Sequence, residues 1–170
     1  LFEEYIEGYD FWGHCDLDLI WGDIRKFITD EVLSKHDKIL TYGHFALYRN
    51  TEECNRRFML PGMNVSYKCI LSGPRVHAFD ECAGQNNIYN IYKQHSFPIY
   101  DEYIFADISI IYRRLRLIRG RENYKNQIFY WENGEVRRAY IKNNNIEYDS
   151  FVYIHFKKRR FKKLAHEMKN

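Results

Sequence analysis

Asp16 and Asp18 are the residues whose types and spacing are best suited to chemistry. Two carboxylates at alternate positions share one face of a strand, and at a frayed strand end both can turn toward one cation. Mg²⁺ and Mn²⁺ prefer carboxylate, phosphate and water oxygens, so a sparse carboxylate pair beside a diphosphate makes a reasonable site for either. Asp-x-Asp alone is a weak signal, and two solvated caps at a strand end are the competing structural reading. The setting favours chemistry. Tyr9, Phe11 and Trp12 form an apolar run before the pair, and Trp21-Gly22-Asp23 turns the chain straight after it.

Asp80 and Glu81, within Phe79-Asp80-Glu81-Cys82-Ala83-Gly84, are the candidates for proton transfer, because a loop carboxylate can deprotonate an attacking hydroxyl. Asp80 reads equally well as a helix N-cap. Arg113, Arg114, Arg116, Arg119 and Arg121 alternate with Leu115, Leu117 and Ile118, a pattern suited to a phosphate or an anionic lipid surface and also to a plain solvent face.

Positioning these residues requires regular elements around them. Residues 1–7 have helical spacing that Gly8 would stop, and Tyr9–Cys15 reads as a buried strand ending at a polar edge. Ile24, Phe27, Ile28, Val32 and Leu33 recur at helical spacing, with Asp23 as N-cap. Lys38–Tyr42 and His44–Tyr48 read as extended runs flanking Gly43, Glu52–Phe58 as a short helix, and Pro61-Gly62 as a turn. Val65–Leu71 fits a strand or a helix end. Ser72–Asn87 reads as a structured loop before a helix that includes Ile88 and Ile91. Gln127–Trp131 and Val136–Ile141 flank an Asn133-Gly134 hairpin signal, Asn143-Asn144-Asn145 is a turn, and Phe151–Phe156 is a last strand before a basic tail.

With 170 residues, 45% of them hydrophobic and 29% charged, one well-buried domain is expected. The 15 Tyr and 12 Phe point to a sheet-containing fold with amphipathic pockets. Cys15, Cys54, Cys69 and Cys82 form no CxxC pair and follow no secretory signal, so free thiols in a reducing, cytoplasmic setting are expected. No apolar run reaches the roughly 20 residues that span a bilayer, which leaves peripheral contact as the mode of membrane association.

The stretch Tyr9-Asp10-Phe11-Trp12-Gly13-His14-Cys15-Asp16-Leu17-Asp18-Leu19-Ile20-Trp21-Gly22-Asp23-Ile24-Arg25 resembles the GT-A glycosyltransferases, and more closely an uncharacterised glycosyltransferase-like domain family of bacterial polysaccharide biosynthesis. Gly43-His44-Phe45-Ala46-Leu47-Tyr48-Arg49-Asn50 and Tyr153-Ile154-His155-Phe156-Lys157-Lys158-Arg159 are similar to further blocks of that family. The resemblance implies an α/β GT-A-like fold, a mostly parallel sheet with flanking helices and a small antiparallel hairpin near the C-terminus. Only fifteen residues precede Asp16, so it also implies that this is the C-terminal catalytic part, with the nucleotide-binding part upstream.

The function implied is sugar transfer from a nucleotide-sugar donor to a glycan or lipid-linked acceptor, at the cytoplasmic side and peripheral to the inner membrane. Asp16, Asp18 and His155 would hold Mn²⁺ or Mg²⁺, Asp16 with Lys158 and Arg159 the diphosphate, and Asp80 or Glu81 would act as base. His44, Arg49 and Asn50 would line the sugar or acceptor pocket, although Arg49 also suits a surface position and a lone His after a strand is often structural. Two other classes compete: a non-catalytic nucleic-acid-binding module and a metal-dependent phosphohydrolase. The net charge of +3, the acid-rich Asp16 region and the lack of an RNP-like or zinc-ligand pattern argue against nucleic acid. A phosphohydrolase usually needs more carboxylates than one Asp-x-Asp.

Overall fold

The computed structural model describes residues 3–74, 77–80, 82 and 84–157. The chain forms two compact units, one from the segment up to Leu17 together with Ile24–Ile104, the other from Asp18–Asp23 together with the chain from Phe105 onward.

In the first unit, helix α1 (Glu3–Ile6) leads into β1 (Phe11–Cys15). The sheet continues with β4 (Phe45–Arg49), β3 (Lys38–Tyr42) and β5 (Ile99–Tyr100), in the order β1-β4-β3-β5. Strand β3 is central and its first four residues are buried, whereas β1 lies at an edge and is only half-buried. The Tyr9–Cys15 run is therefore not the buried strand expected, because only one of its sides is paired. A bulge interrupts β3 after Ile39, where buried Leu40 takes a φ of 60°.

Helix α2 (Asp30–Lys35) is shorter than the Ile24–Leu33 periodicity predicts, and its cap is Thr29, whose hydroxyl accepts from the Val32 N–H. The Thr29 side chain satisfies an orphan donor that Asp23 is too far upstream to reach, so residues 24–28 form only a single turn. Helices α3 (Glu52–Arg56), α4 (Tyr67–Ser72) and α5 (Ile88–Gln94) follow. The ambiguous run at 65–71 is thus mainly helical. Asn87, rather than Asp80, caps α5. Ala46, Tyr48, Ile88, Ile91 and Tyr92 form the core, each large side chain contributing about 1.5–3 kcal/mol.

In the second unit, β2 (Leu19–Trp21), β10 (Tyr153–His155) and β6 (Ala106–Asp107) form one sheet with β10 in the middle. Strands β7 (Gln127–Glu132), β8 (Glu135–Lys142) and β9 (Asn145–Phe151) form an antiparallel meander. Its turns are Asn133-Gly134, with φ of 50° and 83°, and Asn143-Asn144, with φ of 51° and 64°. Two successive left-handed residues match the twist of a tight hairpin, which is why Asn and Gly stand there. Val136 and Phe151 pack with Ala106, Ile108, Leu117 and Ile154. Gly22 admits close backbone approach, since a Cβ there would lie 2.7 Å from the Phe151 carbonyl oxygen.

The mixed α/β class agrees with the sequence, but the mostly parallel sheet does not. Among the described strands only β3 with β5 and β10 with β6 pair in parallel. Short turns join β3 to β4, β7 to β8 and β8 to β9, and a two-residue turn permits only antiparallel pairing.

Candidate functional site

In the second unit the ladder itself gathers polar groups. Strand β10 runs parallel to β6 with His155 opposite Asp107, and antiparallel to β2 with His155 opposite Leu19, next to Asp18 in the chain. The Phe156 N–H donates to the Asp18 carbonyl at 3.3 Å, fixing the chain there. His155 Nδ1 lies 3.0 Å from Asp107 Oδ1, and its Nε2 lies 3.5 Å from Asp18 Oδ1. Lys157 Nζ is 3.5 Å from Asp107 Oδ2. His155 and Asp107 are buried, 5% and 2% exposed.

An ionised carboxylate only accepts, so Asp107 assigns the proton of neutral His155 to Nδ1 and turns the Nε2 lone pair toward the Asp18 side. A carboxylate behind an imidazole, with a second carboxylate in front, is a donor set for a divalent cation and equally an oriented proton acceptor. Lys157 offsets part of the negative charge of Asp107.

A different polar cluster lies in the first unit. Lys38 is fully buried, pairs across the sheet with Tyr48, and donates from Nζ to its hydroxyl at 2.7 Å. Burial pulls its ammonium from 10.5 down to about 7, against the opposing pull of Asp80 and Cys82. Burial likewise pushes the Tyr48 phenol up. His14 Nε2 is 3.4 Å from Asp80 Oδ2. Its basicity is lowered by burial, partly restored by Asp80, lowered again by Lys38 and raised by Asp16. A cavity of about 680 Å³ lies beside them, walled by Trp12, His14, Tyr48, Phe58, Phe79 and Asp80. Trp12 stacks on Tyr48 with centroids 5.0 Å apart.

Of the residues expected at the site, the second unit brings Asp18 and His155 together. Asp16 directly follows β1 in the first unit, where its N–H donates to the His44 carbonyl at 3.0 Å. His44 is buried and stacks flat on Tyr42. Arg49 donates to Asp37 at 2.9 Å and to the carbonyls of Leu33 and His36. Asn50 donates to the carbonyls of Ile6 and Tyr9, tying the chain before β1 to the end of β4. Asp80 faces His14 on the cavity wall. Glu81, Lys158 and Arg159 lie outside the described residues.

A family model described as a family of unknown function (DUF6625) matches residues 1–170. The chain belongs to DUF6625. No curated protein and no solved structure matches it. Among the described residues of this DUF6625 chain, no helix is long and apolar enough to cross a membrane.

Two members of these clusters escaped the sequence reading. Asp107 ends the apolar run Ile104-Phe105-Ala106, the same pattern that drew attention to Asp16, but in a stretch where no motif stood out. Lys38 precedes Ile39-Leu40 and looked like the polar start of a strand. Its burial follows from the central place of β3 in the sheet, which only the pairing with β4 and β5 reveals.

Proposed function

We propose that this DUF6625 protein is a divalent-metal-dependent, GT-A-like glycosyltransferase of cell-surface polysaccharide biosynthesis, using a nucleotide-sugar donor and a glycan or lipid-linked acceptor. The observation that carries the reading is the approach of Asp18 to His155 at 3.5 Å, with the other imidazole nitrogen held by buried Asp107. Two candidates from opposite ends of the sequence are neighbours within one unit. One imidazole nitrogen with carboxylate oxygens fits Mn²⁺, and Mg²⁺ through the oxygens.

In this reading Asp18 and His155 hold the metal, joined by Asp16 as the sequence motif has it, and Asp107 is a positioning residue that fixes the His155 tautomer. The bound cation would supply charge stabilisation to the departing nucleoside diphosphate, a role that Lys158 and Arg159 would share as the resemblance implies. Asp80, facing His14, or Glu81 takes the proton of the acceptor hydroxyl. His44, Arg49 and Asn50 support the acceptor side chiefly by holding backbone in place. The protein works at the cytoplasmic face, without nucleic acid.

Mn²⁺ titration followed by electron paramagnetic resonance tests the centre directly. Wild-type protein binds the ion, and Asp18→Ala and His155→Ala each lose roughly 100-fold or more in affinity while staying folded by circular dichroism. Nucleotide-sugar turnover is then measured with Mn²⁺ and with EDTA. Unchanged Mn²⁺ binding in both variants, or turnover indifferent to chelation, sinks the reading. A glycosylated acceptor marks the transferase, whereas released phosphate or cut strands mark a hydrolase.

A further inference from the structure

The cavity of the first unit is built largely from rings. Trp12, Tyr48, Phe58 and Phe79 wall its volume of about 680 Å³, together with the carboxylates of Glu3 and Asp80. The rings are anchored from behind. Trp12 donates its indole N–H to Asn55 Oδ1 at 2.7 Å and stacks on Tyr48, which leaves its other face and its edge for the cavity. Phe58 meets Tyr67 edge-on with centroids 5.3 Å apart, and the Ile88 N–H donates to the Phe79 carbonyl at 2.8 Å. A wall held this way is preformed.

An acidic groove adjoins the cavity. Its volume is about 850 Å³, and it shares Glu3, Ile6, Asn55 and Phe58 with the cavity while adding Glu4, Glu7 and Glu52. Arg56 lines it too, but its guanidinium is held by Glu52 at 2.9 Å. Among the described lining residues of this groove, four carboxylates thus stand against one paired guanidinium. Inside the cavity, Asp80 keeps 46% of its side chain exposed while meeting His14 at 3.4 Å, so it retains oxygen surface for a ligand. A neighbouring cation, Lys38, sits with Nζ 3.9 Å from the Tyr48 ring centroid. Burial draws its ammonium down to about 7, which leaves little positive charge there in mildly alkaline solution.

We propose that this cavity binds a small organic cation, an alkylated ammonium, whose methyl or methylene groups lie on the rings while Asp80 and Glu3 balance its charge. Two features select this class. The face of an aromatic ring is the negative pole of its quadrupole and the carboxylates add to it, so both kinds of wall attract positive charge. A bare metal ion would need several oxygens where these rings stand, whereas an alkylated ammonium buries its carbon against them. A neutral sugar would also stack on Trp12, but it gains nothing from the acidic groove. The site lies within the first unit and depends on neither the metal nor the nucleotide-sugar of the transferase reading.

Isothermal titration calorimetry of the full chain at pH 8 tests this with choline and its uncharged carbon isostere, 3,3-dimethylbutan-1-ol. Choline is expected to bind about tenfold more tightly than the isostere, and less tightly as salt rises. Trp12→Leu should weaken choline binding about tenfold or more, Trp12→Phe less, and Asp80→Asn roughly three- to tenfold. Trp131→Phe, at an exposed ring of the second unit, should leave the affinity unchanged. Equal affinity for choline and isostere, tighter binding of glucose than of choline, or no choline binding by wild-type protein overturns the proposal. So does a folded Trp12→Leu protein of undiminished affinity. The isostere comparison uses wild-type protein alone and decides the matter if Trp12→Leu does not fold. All titrations contain EDTA, so their outcome is separate from that of the metal centre.

Discussion

Two of the buried cations, one in each unit, are held in opposite ways. Arg138 in the second unit is 1% exposed and meets both oxygens of Asp149, at 3.0 and 2.6 Å, with the Glu122 carbonyl at 2.7 Å and the rings of Tyr140 and Tyr124 around it. Lys38 in the first unit is equally buried, but its hydrogen bond goes to the neutral hydroxyl of Tyr48. A guanidinium with a bidentate carboxylate stays charged and organises the meander, whereas an ammonium given only a phenol is driven toward neutrality. Burial alone thus does not say whether a charged residue is structural. Its partner does.

The contrast breaks most visibly at Arg138. Asp149→Ala leaves that guanidinium buried without its carboxylate and should cost about 3–5 kcal/mol in urea unfolding. A loss below 1 kcal/mol would mean that the ring cage and the Glu122 carbonyl suffice.

Lys38 should show its neutrality as pH dependence. Its folded pKa, about 7, lies below the ordinary 10.5, so between those values the unfolded chain binds the extra proton and stability rises with pH; the penalty is full below pH 7. Lys38→Met should remove that slope, worth on the order of a few kcal/mol across the window. Tyr48 acts above pH 10, where its raised pKa makes stability fall again. Thermal unfolding of both proteins at pH 7 and pH 9.5 measures it, and parallel pH profiles would show that Lys38 stays charged.

Smaller effects sharpen the second unit further. Asp107→Asn keeps the size of the buried side chain while weakening its hold on His155, and should lower Mn²⁺ affinity roughly 10- to 100-fold. A purely structural Asp107 would lower the melting temperature and leave the ion untouched. Gly134→Ala places a Cβ on a residue with φ of 83° and should cost about 1 kcal/mol, read from the shift in denaturation midpoint.

Much of the local structure was legible because it depends on neighbours in sequence. Asn133-Gly134 announced its hairpin, Gly8 its helix end, and the Ile88–Ile91 spacing its helix, each through backbone preferences that act within a few residues. Short strands were not legible. Leu19–Trp21 and Ala106–Asp107 have two or three residues each, too few for an alternation to show, and they exist only because β10 pairs with both.

The sequence by itself determined which groups are available: a carboxylate pair at 16 and 18, a late histidine at 155, a loop carboxylate at 80 and a cluster of arginines from 113. Tertiary structure decided their company. It set Asp107 behind His155 and Asp18 before it, turned Arg49 and Asn50 to holding backbone, and sealed Lys38 beneath Tyr48. It also left Ile110 and Ile111 in solvent ahead of the arginines. The reason is register: strand pairing joins residues far apart in the chain, and a shift of one position would turn the strand residues Lys38, Arg49, Asp107 and His155 to the other face.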